Sequence, residues 1–247
     1  MSQADTDTPQ PLVAHLTELR ARLLRSVLAL LALTLCILPF ANPLYEWISE
    51  PLRRWLPAGS TMIATDVTAP FLVPFKLAAF TGLLLSVPYL LWQAWGFVAP
   101  GLYQREKRLV LPLMVSSIAL FYSGVAFAFF VVCPMIFGFF AQAGPHSVAV
   151  MTDMGSYLNF VLTLFFAFGV AFEIPIATIL LIRSGLVSAA QLADKRAYVI
   201  VSCFVIGMLL TPPDVISQTM LAVPMWLLFE IGVGVGRYIT PRPGDEA

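Results

Sequence analysis

A chain of 247 residues that is 59% hydrophobic and 11% charged, with a mean hydropathy of +0.86, is too apolar to be a soluble globular domain. Fourteen Lys and Arg balance fourteen Asp and Glu, so there is no positive excess with which to bind a nucleic-acid backbone. Cys36, Cys133 and Cys203 each fall in an apolar stretch with no metal-like spacing to one another or to His15 and His146, and they read as small buried apolar residues.

The chain opens on a polar tail, residues 1–10, followed by an amphipathic helix. Leu12, Leu16, Leu19 and Leu23 form one stripe of that helix, and His15, Glu18, Arg22 and Arg25 form another. It precedes the first apolar run, and no small-residue cleavage site follows that run, so the segment does not read as a cleaved signal peptide. A helix that crosses a bilayer needs about 20 apolar residues. Charge-free runs at 26–45, 77–104 and 109–152 supply the first candidates. The last of these is too long for one crossing, and Ala141-Gln-Ala-Gly-Pro-His-Ser147 divides it with a turn after about Phe140. A fourth run, from about Tyr157 to Ile182, is interrupted only by Glu173. Two shorter runs flank Thr211-Pro212-Pro213-Asp214, where the prolines stop one helix and Asp214 can cap the next.

The predicted architecture is therefore all-α and polytopic, one transmembrane domain over 1–247 with spans at about 23–41, 71–99, 109–140, 157–182, 197–210 and 215–236. Residues 42–70 form an external cap, in which Leu44, Ile48, Leu52 and Trp55 recur at helical spacing beside Tyr45 and Trp47. Pro88, Pro112, Pro134, Pro175 and Pro224 fall inside spans and should tilt and bend them into an open, curved shape. Residues 197–210 reach only about 21 Å, against a hydrocarbon core of about 30 Å. Either the membrane thins there or the helix begins before Ala197.

Loop charge sets the orientation. Eleven Lys and Arg fall on one alternate set of connections and termini, against Arg53, Arg54 and Lys76 on the other. Both termini are thus expected in the cytoplasm of a multi-pass inner-membrane protein, with residues 1–22 and the tail 237–247 on that side and Lys76 snorkelling at a helix end.

Residues suited to catalysis are scarce. The two histidines lie outside the spans, so neither a Ser-His pair nor a histidine metal cluster is available, and Ser123-Gly124 lacks an activating base. The chain reads as a non-enzyme without metal or cofactor. Glu173 lies about 15 Å in from Arg183, deep in hydrocarbon. There it must be protonated, paired, facing a wet cavity, or bonded to the Ala171 carbonyl that Pro175 leaves free. Glu230 sits near a span end, within reach of the interface, and Glu18 can pair with Arg22 one turn on. Glu106 stands among Arg105, Lys107 and Arg108, where it either moderates local charge or shares a binding role with Glu18.

Several linked motifs resemble the TatC family over nearly the whole chain. They are His15-Leu-x-Glu18-Leu-Arg20-x-Arg22, Thr65-Asp-Val-Thr-Ala-Pro-Phe71 and Ala94-Trp-Gly-Phe97-Val-Ala-Pro100, then Tyr103-x-x-Glu106-x-Arg108, Phe168-Gly-Val-Ala-Phe-Glu173-Ile-Pro175 and Gly207-Met-Leu-Leu-Thr-Pro-Pro-Asp214. The resemblance implies a concave cup of six helices. Its function would be that of the receptor subunit of the twin-arginine protein translocase, which binds Arg-Arg signal peptides. With TatB-like and TatA-like single-span subunits and further TatC copies, such a receptor exports folded proteins on the proton-motive force. By the same resemblance Glu18, Glu106 and Phe97 bind the signal peptide, Glu173 is the polar group in the cup, Met208 and Leu209 meet a partner subunit, and Pro51 shapes the cap. A proton-coupled small-solute transporter is the competing reading of Glu173, although internal repeats are not found in the six spans.

The charge bias carries a topology test. Single cysteines placed in 42–70, 142–156 or 211–214 on a cysteine-free background should react with an impermeant thiol reagent added outside. Labelling of residues 105–108 from that side would overturn the six-span arrangement.

Overall fold

The computed structural model describes residues 12–54, 62–98, 107–143, 151–183, 185–210 and 215–239, and within them the chain is almost wholly helical. Residues 12–37 contain no Pro or Gly, and α1 (Leu12–Ile37) runs unbroken through both the amphipathic stretch and the first apolar run. Pro39 tightens the chain into a 3-10 turn (Leu38–Phe40), which leads directly into α2 (Ala41–Arg53). The cap is thus reached without a loop. Tyr45, Ile48 and Leu52 turn inward from α2 while Trp47 faces out and stacks on Phe129 at 4.7 Å. Trp55 lies outside the described residues.

The second run forms α3 (Ala69–Val98), which contains Pro74 and Pro88. Pro88 cannot donate to the carbonyl of Leu84 four residues back. The Tyr122 hydroxyl, from the next long helix, donates to that carbonyl at 2.8 Å. The third run forms α4 (Lys107–Phe127), a π-helical turn (Ala128–Val132) and α5 (Cys133–Ala143). The wider turn immediately precedes Pro134, whose missing N–H already removes one helical bond, and the Cys133 N–H reaches back to Ala128 O. The fourth run is split into α6 (Met154–Ala171) and α7 (Ile174–Arg183), with the break at Phe172-Glu173 just before Pro175. A short α8 (Ala189–Asp194), closed by a Ser188–Gln191 capping box, precedes α9 (Arg196–Leu210). Of the two possibilities for the fifth span, extension before Ala197 amounts to one residue, and α9 remains short. The last helix, α10 (Val215–Ile239), contains Pro224. Among the described residues five helical segments are long and apolar enough to cross a membrane, and α9 is a shorter apolar sixth.

The principal contacts run from α1 to α3, from α3 to α2, α4 and α6, from α4 to α6, and from α10 to both α7 and α9. This is a row of helices with α1 at one margin and α9 at the other. A core of Leu77, Ile136, Leu158, Val161, Leu164 and Phe168 sits under the cap residues Tyr45, Ile48 and Leu52. A second cluster gathers Ala171, Cys203, Ala222, Met225 and Leu228. Cys133 and Cys203 are buried as expected, but Cys36 is exposed. The correction has a simple cause: α1 packs chiefly on α3, so most of its circumference faces outward.

α1 and α3 cross at Gly82. A Cβ built there would stand 2.6 Å from Thr34 Oγ1, 2.8 Å from Thr34 N and 2.9 Å from its Cα, so only glycine permits this approach. Gly82→Val should therefore force the helices apart and cost about 1–3 kcal/mol, as overpacking does. A detergent melt of the variant would show this as a lowered midpoint. An unchanged midpoint would mean that the two helices do not meet there.

Candidate functional site

The antiparallel α1–α3 pair brings Glu18 and Arg22 to the C-terminal end of α3. Glu18 and Arg22 lie one turn apart, and both the Nε (2.9 Å) and Nη2 (2.6 Å) of Arg22 donate to Glu18 Oε1. The same guanidinium also reaches across to α3. Nη1 donates to Gln93 O at 3.4 Å and to Gln93 Oε1 at 3.3 Å, and Nη2 donates to Gly96 O at 3.1 Å. Pro100, four residues on in the sequence, has no N–H with which to serve the Gly96 carbonyl. A cation at this helix end also meets the negative pole of the α3 dipole. Gly96 leaves the space that Arg22 fills, since a Cβ there would meet Cζ at 3.1 Å and Nη2 at 3.2 Å. Glu18 Oε2 has no hydrogen-bond partner among the described residues, and the Glu18 side chain is 31% exposed. Phe97 follows Gly96 on α3, so its backbone belongs to this junction; its side chain, like Glu106 as a whole, lies outside the described residues.

Glu173 occupies a different level of the molecule. It sits in the break between α6 and α7, where its Oε2 accepts a hydrogen bond from the Ser117 hydroxyl on α4. Its Oε1 is buried and without a partner among the described residues. The partner found is one the sequence did not suggest, the Ser117 hydroxyl on another helix, rather than the Ala171 carbonyl. Glu230 forms a two-pronged pair with Arg196, at 2.6 and 2.8 Å, which ties α10 to α9.

At the opposite end from Glu18, Asp153 organises a clasp. It caps α6 by accepting from Ser156 N at 2.7 Å, and it accepts from Thr65 N at 3.1 Å and Thr65 Oγ1 at 2.9 Å. Those donors hold its carboxyl far below the usual range. Beside it, Ile63 N donates to Thr152 O at 3.0 Å and Met154 N to Ile63 O at 2.9 Å. Tyr157 adds a bond to Ile48 O at 2.7 Å, fixing α2 to α6. Pro51, within α2, borders a cavity of about 490 Å³ with Trp47, Glu50, Arg54, Phe129, Phe130 and Pro134. Met208 and Leu209 are exposed near the end of α9, at 51% and 76%. Lys76 lies inside α3 rather than at its end, and its Nζ donates to Asn159 Oδ1 on α6 at 2.5 Å.

Sequence reasoning therefore located Glu18, Glu173 and Glu230 but not the partners Gln93, Ser117 and Asn159, and it missed Asp153. Asp153 did leave a signal, as an aspartate three residues before Ser156 at the start of an apolar helix. Among the described residues no cluster of His, Cys, Asp or Glu is suited to a metal ion.

A family model described as Sec-independent protein translocase protein (TatC) matches residues 14–224. Over 246 residues the chain is 62% identical to the Sec-independent protein translocase protein TatC of Azotobacter chroococcum, covering 100% of this chain and 96% of that one. It is 56% identical over 238 residues to the protein of the same name from Escherichia coli, covering 96% and 91% of the two chains. A crystal structure of the twin arginine translocase receptor TatC matches with a TM-score of 0.81 at 36% identity, covering 91% of this chain and 98% of the other.

The Ser117–Glu173 contact can be tested by stability alone. Glu173→Gln keeps an acceptor for the serine and should change little, whereas Ser117→Ala strands a buried carboxyl and should cost about 1–3 kcal/mol. Equal melting midpoints for wild type and Ser117→Ala would show that the hydroxyl does not support the carboxyl.

Proposed function

The chain belongs to the TatC family of the Sec-independent, twin-arginine protein translocase, a multi-pass membrane protein, and on that premise we propose that it is the signal-peptide receptor of that system. Both termini and the α1–α3 junction face the cytoplasm, in keeping with the excess of Lys and Arg on the alternate connections that include them. There Glu18, with Glu106 and Phe97, receives the arginine pair of a signal peptide. The observation that carries this reading is the Glu18 carboxylate itself, half-exposed, with one oxygen already on a guanidinium and the other without a partner among the described residues. A carboxylate in that setting forms charge-assisted bonds with an arginine fork that a lysine ammonium cannot reproduce.

The apolar part of the signal then enters between the helices, where buried area contributes to affinity. Glu173 gives the interior of the cup a polar group that a partner helix can meet, and its Oε1, buried and without a partner among the described residues, supports that role. Met208 and Leu209 offer exposed apolar surface at the outer end of α9 to a TatB-like or TatA-like single-span subunit. Pro51 shapes the cap on α2, where the Asp153 clasp and the Tyr157 bond hold the outer ends of the helices together. Further copies of the chain and the proton-motive force complete the translocase in which this receptor acts.

Binding of Arg-Arg and Lys-Lys signal peptides to the full-length protein in nanodiscs, at several salt concentrations, tests the proposal. Wild type should prefer Arg-Arg; Glu18→Ala should lose about tenfold in affinity, which one charge-assisted bond accounts for. Glu18→Lys should lose more, with the difference shrinking in high salt. Equal binding of the two peptides by wild type, or normal Arg-Arg binding by both variants, would leave Glu18 as a local charge partner and refute the site.

A further inference from the structure

The α1–α3 junction already holds an arginine, and that arginine belongs to the protein. The Arg22 guanidinium is bound at once by two sets of acceptors. One is the charged Glu18 Oε1, reached by Nε and Nη2; the other is a trio of neutral oxygens at the end of α3, Gln93 O, Gln93 Oε1 and Gly96 O, reached by Nη1 and Nη2. Gly96 has no side chain, which leaves room for the guanidinium, and Pro100 has no N–H with which to compete for the Gly96 carbonyl. The pocket around Arg22 therefore has the shape and the acceptors that a planar fork of donors requires.

We infer that Arg22 is an internal placeholder, occupying Glu18 until an incoming arginine takes the carboxylate over and so setting the threshold that a signal peptide must exceed. The inference rests on the reading that Glu18 receives a signal-peptide arginine. Glu18 and Arg22 together carry no net charge, so a cation arriving at the resting site gains little long-range attraction from the pair. First contact falls on Glu18 Oε2, which has no partner among the described residues. As the new guanidinium takes the carboxylate, Arg22 gives up its bonds to Oε1 but keeps those to Gln93 and Gly96. Its charge is then held by three oxygens at the negative end of a helix dipole instead of being stranded. A lysine ammonium, lacking the fork, competes poorly against a resident arginine, so Arg22 adds to selectivity while lowering absolute affinity.

The test uses the same peptides and the full-length protein, with thermal midpoints recorded for every variant. Arg22→Gln removes the competing charge and keeps amide donors for the α3 oxygens. It should bind Arg-Arg about threefold tighter or better, the effect expected from removing one half-exposed ion-pair competitor. Its affinity for Lys-Lys should rise further, so that the ratio between the peptides falls. Arg22→Lys retains the charge without the fork and should lie between wild type and Arg22→Gln. Gly96→Ala fills the space beside α3 and denies Arg22 its second resting place, so Arg-Arg binding should weaken. Arg-Arg binding by Arg22→Gln that is unchanged or weaker, with a wild-type midpoint, would overturn the placeholder and make Arg22 only a support for the Glu18 side chain. If Arg22→Gln is destabilised, Arg22→Lys and Gly96→Ala decide by the same signs. Failure of the underlying reading looks different, because Glu18→Ala would then bind Arg-Arg normally whatever residue stands at 22.

Discussion

The hydrocarbon core of a membrane has no water to satisfy polar groups, and this one constraint accounts for most of what holds the helices in register. The chain is 11% charged, and among the described residues the cross-helix polar contacts each join a particular pair of elements. Tyr122 serves the carbonyl that Pro88 frees, joining α4 to α3. Ser117 meets Glu173 between α4 and the α6–α7 break. Gln218 donates to Phe204 O at 2.7 Å between α10 and α9, and Arg196 holds Glu230 at their other end. Lys76 and Asn159 join α3 to α6, and Arg22 joins α1 to α3. Dispersion and close approach at positions such as Gly82 complete the fit between these bonds.

The elements themselves were legible because hydrophobic length and helix-breaking residues are local signals. The six apolar runs, a helix end near residue 140, the amphipathic stretch before the first run and the helical spacing of α2 can all be read without knowing a single contact. The Phe172-Glu173 break falls where Pro175 is expected to bend the span, although the sequence implies a bend rather than two separate helices. Partnerships were not legible in the same way. Whether Glu173 meets Ser117 or a backbone carbonyl depends on the register of α4 against α6, which no local pattern encodes. Cys36 was misplaced for a related reason: apolar in a membrane chain does not mean buried in protein, and α1 covers only one of its faces.

Three polar levels lie along the helix axes, and their exposures suit different tasks. At the α1–α3 end the acidic group is partly exposed and paired with the Arg22 guanidinium through one oxygen. In the middle one Glu173 oxygen accepts from Ser117, and the other is buried without a partner among the described residues. At the capped end Asp153 is tied by bonds to Thr65 and Ser156, and the aromatic side chains of Tyr45 and Tyr157 fill the space beneath the cap. Those bonds tie residues 62–68, α2 and α6 together at that end.

Where the arginine pair of a signal peptide rests is the claim on which the functional account turns. A photoreactive group carried on the signal peptide beside its two arginines, activated on the assembled translocase in membranes and mapped by peptide mass, reports that position directly. Adducts are expected on residues 18–25 and 93–97, the two segments that Arg22 joins. Adducts confined to the capped end, around residues 62–68 and 151–156, would contradict it.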